Sequence, residues 1–140
     1  MAEKFYNVGK QRILECARST TALDPRVVLV ITSTTGADNQ DLTTLAAIDA
    51  VGTVAFHSER ITLGNETTNV DQANDRAGLD TDNAVFAVAA GVSALAAIVY
   101  DEAAAGADSG RIPLSYHDTG FPKPLDGGLT LNIADLWRAL

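Results

Sequence analysis

The residues able to do chemistry are few and dispersed. His57 and His117 lie far apart in the chain, and neither belongs to an HExxH spacing or stands beside a cysteine pair, so they form no zinc ligand set. Structural positions at strand ends are the expectation for both. Ser19, Ser58 and Ser115 lack the G-x-S-x-G elbow that would expose a serine nucleophile. The single cysteine, Cys16, falls on a helical face and reads as a small core hydrophobe rather than as a nucleophile. GADSG and LDGGL are short turns without the Walker lysine or the strand-glycine-helix setting of a phosphate loop.

The densest group of potential ligands is Asp71, Asn74, Asp75, Asp80, Asp82 and Asn83, oxygen donors of the kind that Ca²⁺ accepts at flexible spacing. Asp80 and Asp82 are the cation candidates within it. The EF-hand order D-x-[DN]-x-[DN]-G fails here, however, and Asp and Asn are ordinary residues of tight turns. Turn chemistry is therefore the expected role, Arg76 is placed to pair with a neighbouring carboxylate and pin the loop, and no metal, cofactor or catalytic residue is assigned. These residues predict a protein that is not an enzyme.

Composition bounds the remaining choices. A chain of 140 residues fits one domain spanning 1–140, large enough to bury about two-thirds of its unfolded surface without disulfides. Acids outnumber Lys and Arg by 18 to 10, the opposite of the electrostatic footprint that phosphate backbones require, so nucleic acid is not an expected partner. One cysteine makes no internal disulfide, which fits assembly in a cytosol. MAEKFYNVGK carries no apolar run of signal-peptide length. AVFAVAAGVSALAAIVY, the most hydropathic stretch, is interrupted by Gly91 and Ser93 and reads as core strands rather than a membrane span.

The elements that must position these residues follow from periodicity. Asn7 is placed to cap a helix through Ala17, with Val8, Ile13, Leu14, Cys16 and Ala17 near one face and Lys10, Gln11, Glu15 and Arg18 elsewhere. RVVLVIT, Arg26 to Thr32, is apolar on both faces and predicts a central strand. Ser33 to Asp41 reads as a polar loop, and Asp41 as the cap of a short helix beginning at Leu42. Thr53 to Phe56, Arg60 to Leu63 and Thr67 to Val70 are short strands, with a turn at Gly64-Asn65. Asn74 to Glu102 reads as two buried strands joined through Gly91, with Leu79, Val85, Ala87 and Ala89, then Leu95, Ala97 and Val99, facing a core. Ala103 to Gly110 is a small-residue loop. Ile112, Leu114 and Tyr116 share one face of a strand that Pro113 makes an edge or an irregular one. FPKPLDGG is a turn-rich connection, Gly128 to Ala134 a last strand, and DLWRAL brings Trp137 near the terminus. Short strands separated by turn residues predict a mainly β fold, an antiparallel β-sandwich or barrel-like arrangement with a short N-terminal helix.

Asn74-Asp75-Arg76, Asp80-Thr81-Asp82, Gly91, the run from Ala94 to Ala97, Val99-Tyr100, Gly127-Gly128 and the alternating Leu129 to Ile133, together with YNVGKQRIL near the start and the strand from Arg26, resemble a family of small virion structural proteins of tailed bacteriophages. The likeness covers about the first 30 residues and Asn74 to Ile133, leaves Ser33 to Asn69 unmatched, and places Phe86 where family members favour tryptophan. It implies a β-rich capsid decoration, or cement, protein on the outside of a virion. Such a protein is assembled in the host cytoplasm, has the major capsid protein and copies of itself as partners, and binds no membrane. Lattice symmetry makes a trimer the natural oligomer. Phe5, Tyr6, Asp38, Asn39, Trp137 and Leu140, from the termini and the polar loop, are the interface candidates. For Trp137 the alternative is a cap on the core. A neck, collar or tail component and a ligand-binding β-sandwich module remain as alternative readings; the scarcity of aromatic residues weighs against the second.

Overall fold

The computed structural model describes residues 4–18, 22–73, 76–102, 106–132 and 137–139, without the side chains of 17–18, 68–69, 71, 76–79 and 137–139. In chain order the elements are β1 (Lys4–Phe5), α1 (Asn7–Arg18), β2 (Pro25–Val30), α2 (Leu45–Asp49), β3 (Phe56–Thr62), β4 (Thr67–Asp71) and β5 (Arg76–Asp80). They are followed by β6 (Ala84–Phe86), β7 (Ser93–Ala94), β8 (Ala96–Asp101), β9 (Ile112–His117), β10 (Lys123–Pro124), β11 (Leu129–Leu131) and β12 (Trp137–Ala139). The fold is mainly β, and every strand pairing is antiparallel.

A five-stranded sheet in the order β1-β9-β8-β2-β3 carries the core. The RVVLVIT run becomes β2, paired along its edges with β3 and β8, and its two apolar faces enter two different core clusters. Period-2 alternation sorts side chains into two clusters. Val27, Leu29, Ala97, Val99 and Leu114 face the short ladders β6-β11 and β7-β10, packing with Phe86, Leu125 and Leu131. Val28, Val30, Ala96, Ile98, Tyr100 and Tyr116 face the helical layer, packing with Tyr6, Ala37, Leu45 and Ile48. A separate three-stranded sheet, β12-β5-β4, joins the hairpin to the C-terminal strand.

Several details differ from the sequence expectation. Helix α1 forms where the capping pattern places it, but Leu14 is 61% exposed. The packed face runs through Gly9, Arg12, Ile13 and Cys16, because a Cβ at Gly9 would stand 2.7 Å from Leu114 Cα and Pro113 O, so only glycine lets the helix approach β9 so closely. Thr44, not Asp41, caps α2, its Oγ1 accepting from the Ala47 amide at 3.1 Å. The two strands expected between Thr53 and Leu63 are one, β3, with a bulge where Val28 pairs Arg60 and Val30 pairs Phe56.

Asn74 to Glu102 contains four strands rather than two, and β6 and β8 pair with different partners. The alternation in β6 has the opposite phase: Ala84 and Phe86 are buried, while Val85 is 61% exposed and Ala87 also faces solvent. Phe86, with the larger apolar surface, takes the inside. Gly91 does hold a turn, at φ +74. In β9 a register shift at Pro113 pairs Val99 with Ser115 and Tyr100 with Pro113, which puts Leu114 and Tyr116 in opposite clusters instead of on one face. Pro113 thus marks an irregular strand that is not an edge: β9 lies between β8 and the two-residue β1. Past the expected last strand, which forms as Leu129–Leu131, the chain adds β12.

Candidate functional site

The interface candidates divide by environment. Tyr6 is buried in the helix-side core, where its amide donates to Leu114 O at 3.1 Å and its hydroxyl to Ala37 O. Burial first, then the charges of Tyr116 and Asp38, push its phenol far above the usual range. As a surface contact Tyr6 is therefore corrected to a core residue. Phe5 is half-buried in β1 opposite Ser115. Asp38 pairs with Lys4 across the start of the chain, and Asn39 is exposed in the adjoining turn, its side-chain oxygen accepting from the Asp41 amide at 3.1 Å. The backbone of Trp137 pairs with Leu79 in β12-β5. Leu140 lies outside the described residues, as do Asn74 and Asp75.

Asp80 and Asp82 are engaged within the chain: Asp80 Oδ1 accepts from the Thr81 amide at 2.9 Å, and Asp82 Oδ2 accepts from Asn65 Nδ2 at 2.5 Å in the loop where Asn65 adopts φ 53. Neither residue lies in an assigned turn. Among the described residues no three His, Cys, Asp or Glu side chains gather as a metal site. Cys16 is half-buried on α1, and burial pushes its thiol up despite the neighbouring Arg12. His57 on β3 packs edge-on against Phe86, while His117 ends β9. Two strands separate β3 from β9, a span of about 14 Å at ordinary strand spacing, so the histidines do not share a cleft.

Two clusters have no counterpart in the sequence reading. The first is ionic and lies beside the helical layer. Arg111 grips Glu102 through Nε and Nη2 at 2.8 and 2.9 Å and reaches Asp108 at 2.6 Å, with its guanidinium 5.7 Å above the Tyr100 ring. Arg26 pairs with Asp24 at 3.1 Å and Arg60 with Asp108 at 3.6 Å. The bonds from Arg111 hold the Glu102 carboxyl below its ordinary range. Backbone amides of Leu45 and Ala46 donate to the carbonyls of Arg111 and Asp108, so the network fastens α2 and the segment before β9 to the sheet. Next to it, Asp101 is fully buried and accepts from Arg12 Nε at 2.6 Å and from the Asp24 amide at 2.8 Å. Arg12–Asp101 and Arg60–Asp108 join distant stretches of chain, and spacing gave no sign of these pairs.

The second is a pocket of about 390 Å³ on the other side of the sheet, where the end of β9 meets β10 and β11. His117, Thr119, Lys123, Thr130 and Asn132 form its polar wall, and Ala97, Phe121 and Leu131 its apolar part. Ser115 is buried and its Oγ lies 2.8 Å from His117 Nε2, so serine and histidine, two apart on one strand, share a face. That i, i+2 spacing was the available signal. The buried Ser115 braces the ring and does not present a nucleophile to solvent.

No family model, curated protein or solved structure matches the chain. Among the described residues no helix is long and apolar enough to cross a membrane.

Proposed function

We propose that the chain is a non-enzymatic structural protein of a tailed-phage particle, which binds the outside of the capsid shell as a decoration protein and stabilises the head. The motifs from Asn74 to Ile133 suggest the class, and one feature of the surface carries the mechanism. Val85 and Val88 are 61% and 63% exposed, with Ala87 between them also in solvent, on the outer side of a layer whose inner side packs Phe86 into the core. Val70, on the hairpin sheet, is 74% exposed. Exposed apolar side chains as close in the chain as Val85, Ala87 and Val88 suit burial against another protein.

The action follows from burial alone. A subunit that spans two neighbouring capsid proteins opposes their separation by the free energy of its interfaces, about 1,600 Å² for a contact of standard size. A lattice multiplies the effect, because each bound edge raises the effective concentration of the next. The major capsid protein is the partner, and a trimer of this chain matches the local symmetry of a shell. Phe5, Asp38, Asn39 and the C-terminal strand with Trp137 supply further contacts at the margins.

The test mixes purified protein with undecorated heads. Sedimentation is expected to show saturable binding, and heating a higher DNA-release temperature for decorated heads. Val85→Glu with Val88→Glu, which leaves the inward Phe86 in place, is expected to abolish both. Equal release temperatures with and without the protein overturn the reading.

A further inference from the structure

The pocket beside β10 places a lysine next to hydroxyl and amide groups. The chain carries eight more acidic than basic side chains, from 18 Asp and Glu against 10 Lys and Arg. Nearly every described cation is consequently engaged: Lys4 by Asp38, Lys10 by Asn7, Arg12 by Asp101, and Arg26, Arg60 and Arg111 within the ionic network. Lys123 is the exception, with neither an ion pair nor a side-chain hydrogen bond among the described residues, and its side chain lines the pocket. Among the described residues no carboxylate lines the wall. In an acidic protein an ammonium left unmatched beside hydroxyl and amide groups is a recognition element for an anion.

We infer that this pocket binds a small organic oxyanion, a carboxylate or a phosphate monoester carried on a compact apolar body. Lys123 supplies the charge, Thr130 and Asn132 supply neutral hydrogen bonds, and Phe121 with Leu131 receives the carbon part. The volume suits such a ligand: small-molecule sites begin at about 300 Å³ and combine apolar walls with a few placed polar groups. Among its described residues the wall offers no acidic oxygen ligand of the kind a hard cation takes. The buried Ser115 sets the orientation of His117 and so fixes one side of the pocket.

The experiment is a titration of the full chain followed by amide chemical shifts, with benzoate, phenyl phosphate, inorganic phosphate and benzyl alcohol as probes. Saturable shifts are expected at Thr119, Lys123 and Thr130 with benzoate or phenyl phosphate; whichever binds more tightly identifies the anion. Benzyl alcohol, which has the ring without the charge, is expected to bind at least about tenfold more weakly, and inorganic phosphate more weakly than phenyl phosphate. Lys123→Met is expected to weaken the organic anions about tenfold or more, with Lys123→Arg restoring most of the affinity. Absence of saturable shifts, benzyl alcohol binding as well as benzoate, or an unchanged affinity in Lys123→Met with its fold intact by circular dichroism would each overturn the inference. No capsid enters this assay, so its failure leaves the virion reading standing, and failure of the heads experiment leaves the pocket standing.

Discussion

Along β8, neighbouring residues face different worlds. Ile98 and Tyr100 point to a layer of helices and loops in which all three tyrosines of the chain are buried and charged groups are matched against one another. Ala97 and Val99 point to two short ladders that leave a pocket lined by Lys123, which has no ion pair among the described residues. The helix side is sealed by long-range ion pairs because a buried charge must find its partner. The strand side also buries Val27, Leu29 and Val99 completely, and the short ladders leave a pocket only at its margin, beside Ala97 and His117. Both faces thus carry buried core, the first with the ionic network beside it and the second with the pocket.

Alkaline pH should separate the faces most. Burial is the leading cause that raises the phenols of Tyr6, Tyr100 and Tyr116 above their ordinary value. A group whose folded pKa is raised contributes stability that is complete below its unfolded pKa and is lost as pH rises beyond it, here above about pH 10. Tyrosinate absorbance is accordingly expected to rise only together with loss of the circular dichroism signal; phenols that titrate normally in an intact fold would refute the sealed helix side.

Next in size is Asp101→Ala, which strands Arg12 and the Asp24 amide. A loss of about 3–5 kcal/mol is expected in urea unfolding, and a loss below about 1 kcal/mol would mean that the pair is solvated. The third comparison sets Leu45→Ala, on the sealed side, against Leu131→Ala, at the pocket. Both fall within about 2–5 kcal/mol, with Leu45 toward the upper end because its surroundings cannot relax into solvent. The reverse order would make the strand side the tighter core. Lys123→Met closes the series: with no ion pair to lose among the described residues, it should change stability by less than about 0.5 kcal/mol, and a larger loss would show that the lysine belongs to the fold.

How much of this could be read beforehand depended on the range of the interaction. Local signals held: the helix starting at Asn7, the central β2 and the turn at Gly91 all follow from propensity, pattern and backbone freedom within a few residues. Phase was harder. Alternation around Val85 is the same whichever set faces inward, and the ladder with β11 decides for Ala84 and Phe86. The bulge at Pro113 likewise breaks the common face of Leu114 and Tyr116 through pairing with β8. Of the candidate contacts, Asn39 was placed in an exposed loop as expected, while Tyr6 was drawn inside by Leu114 O and Ala37 O from other parts of the chain.

By itself the sequence determined a mainly β chain with an N-terminal helix, a strand buried on both faces and an acid excess, because these depend on residue types and on short periods. Only the tertiary structure decided which carboxylate meets which arginine and that β8, β9, β10 and β11 enclose a pocket around Lys123. Such matches join residues as far apart as Arg12 and Asp101, and no local pattern encodes a contact that exists only after the sheet has brought its strands together.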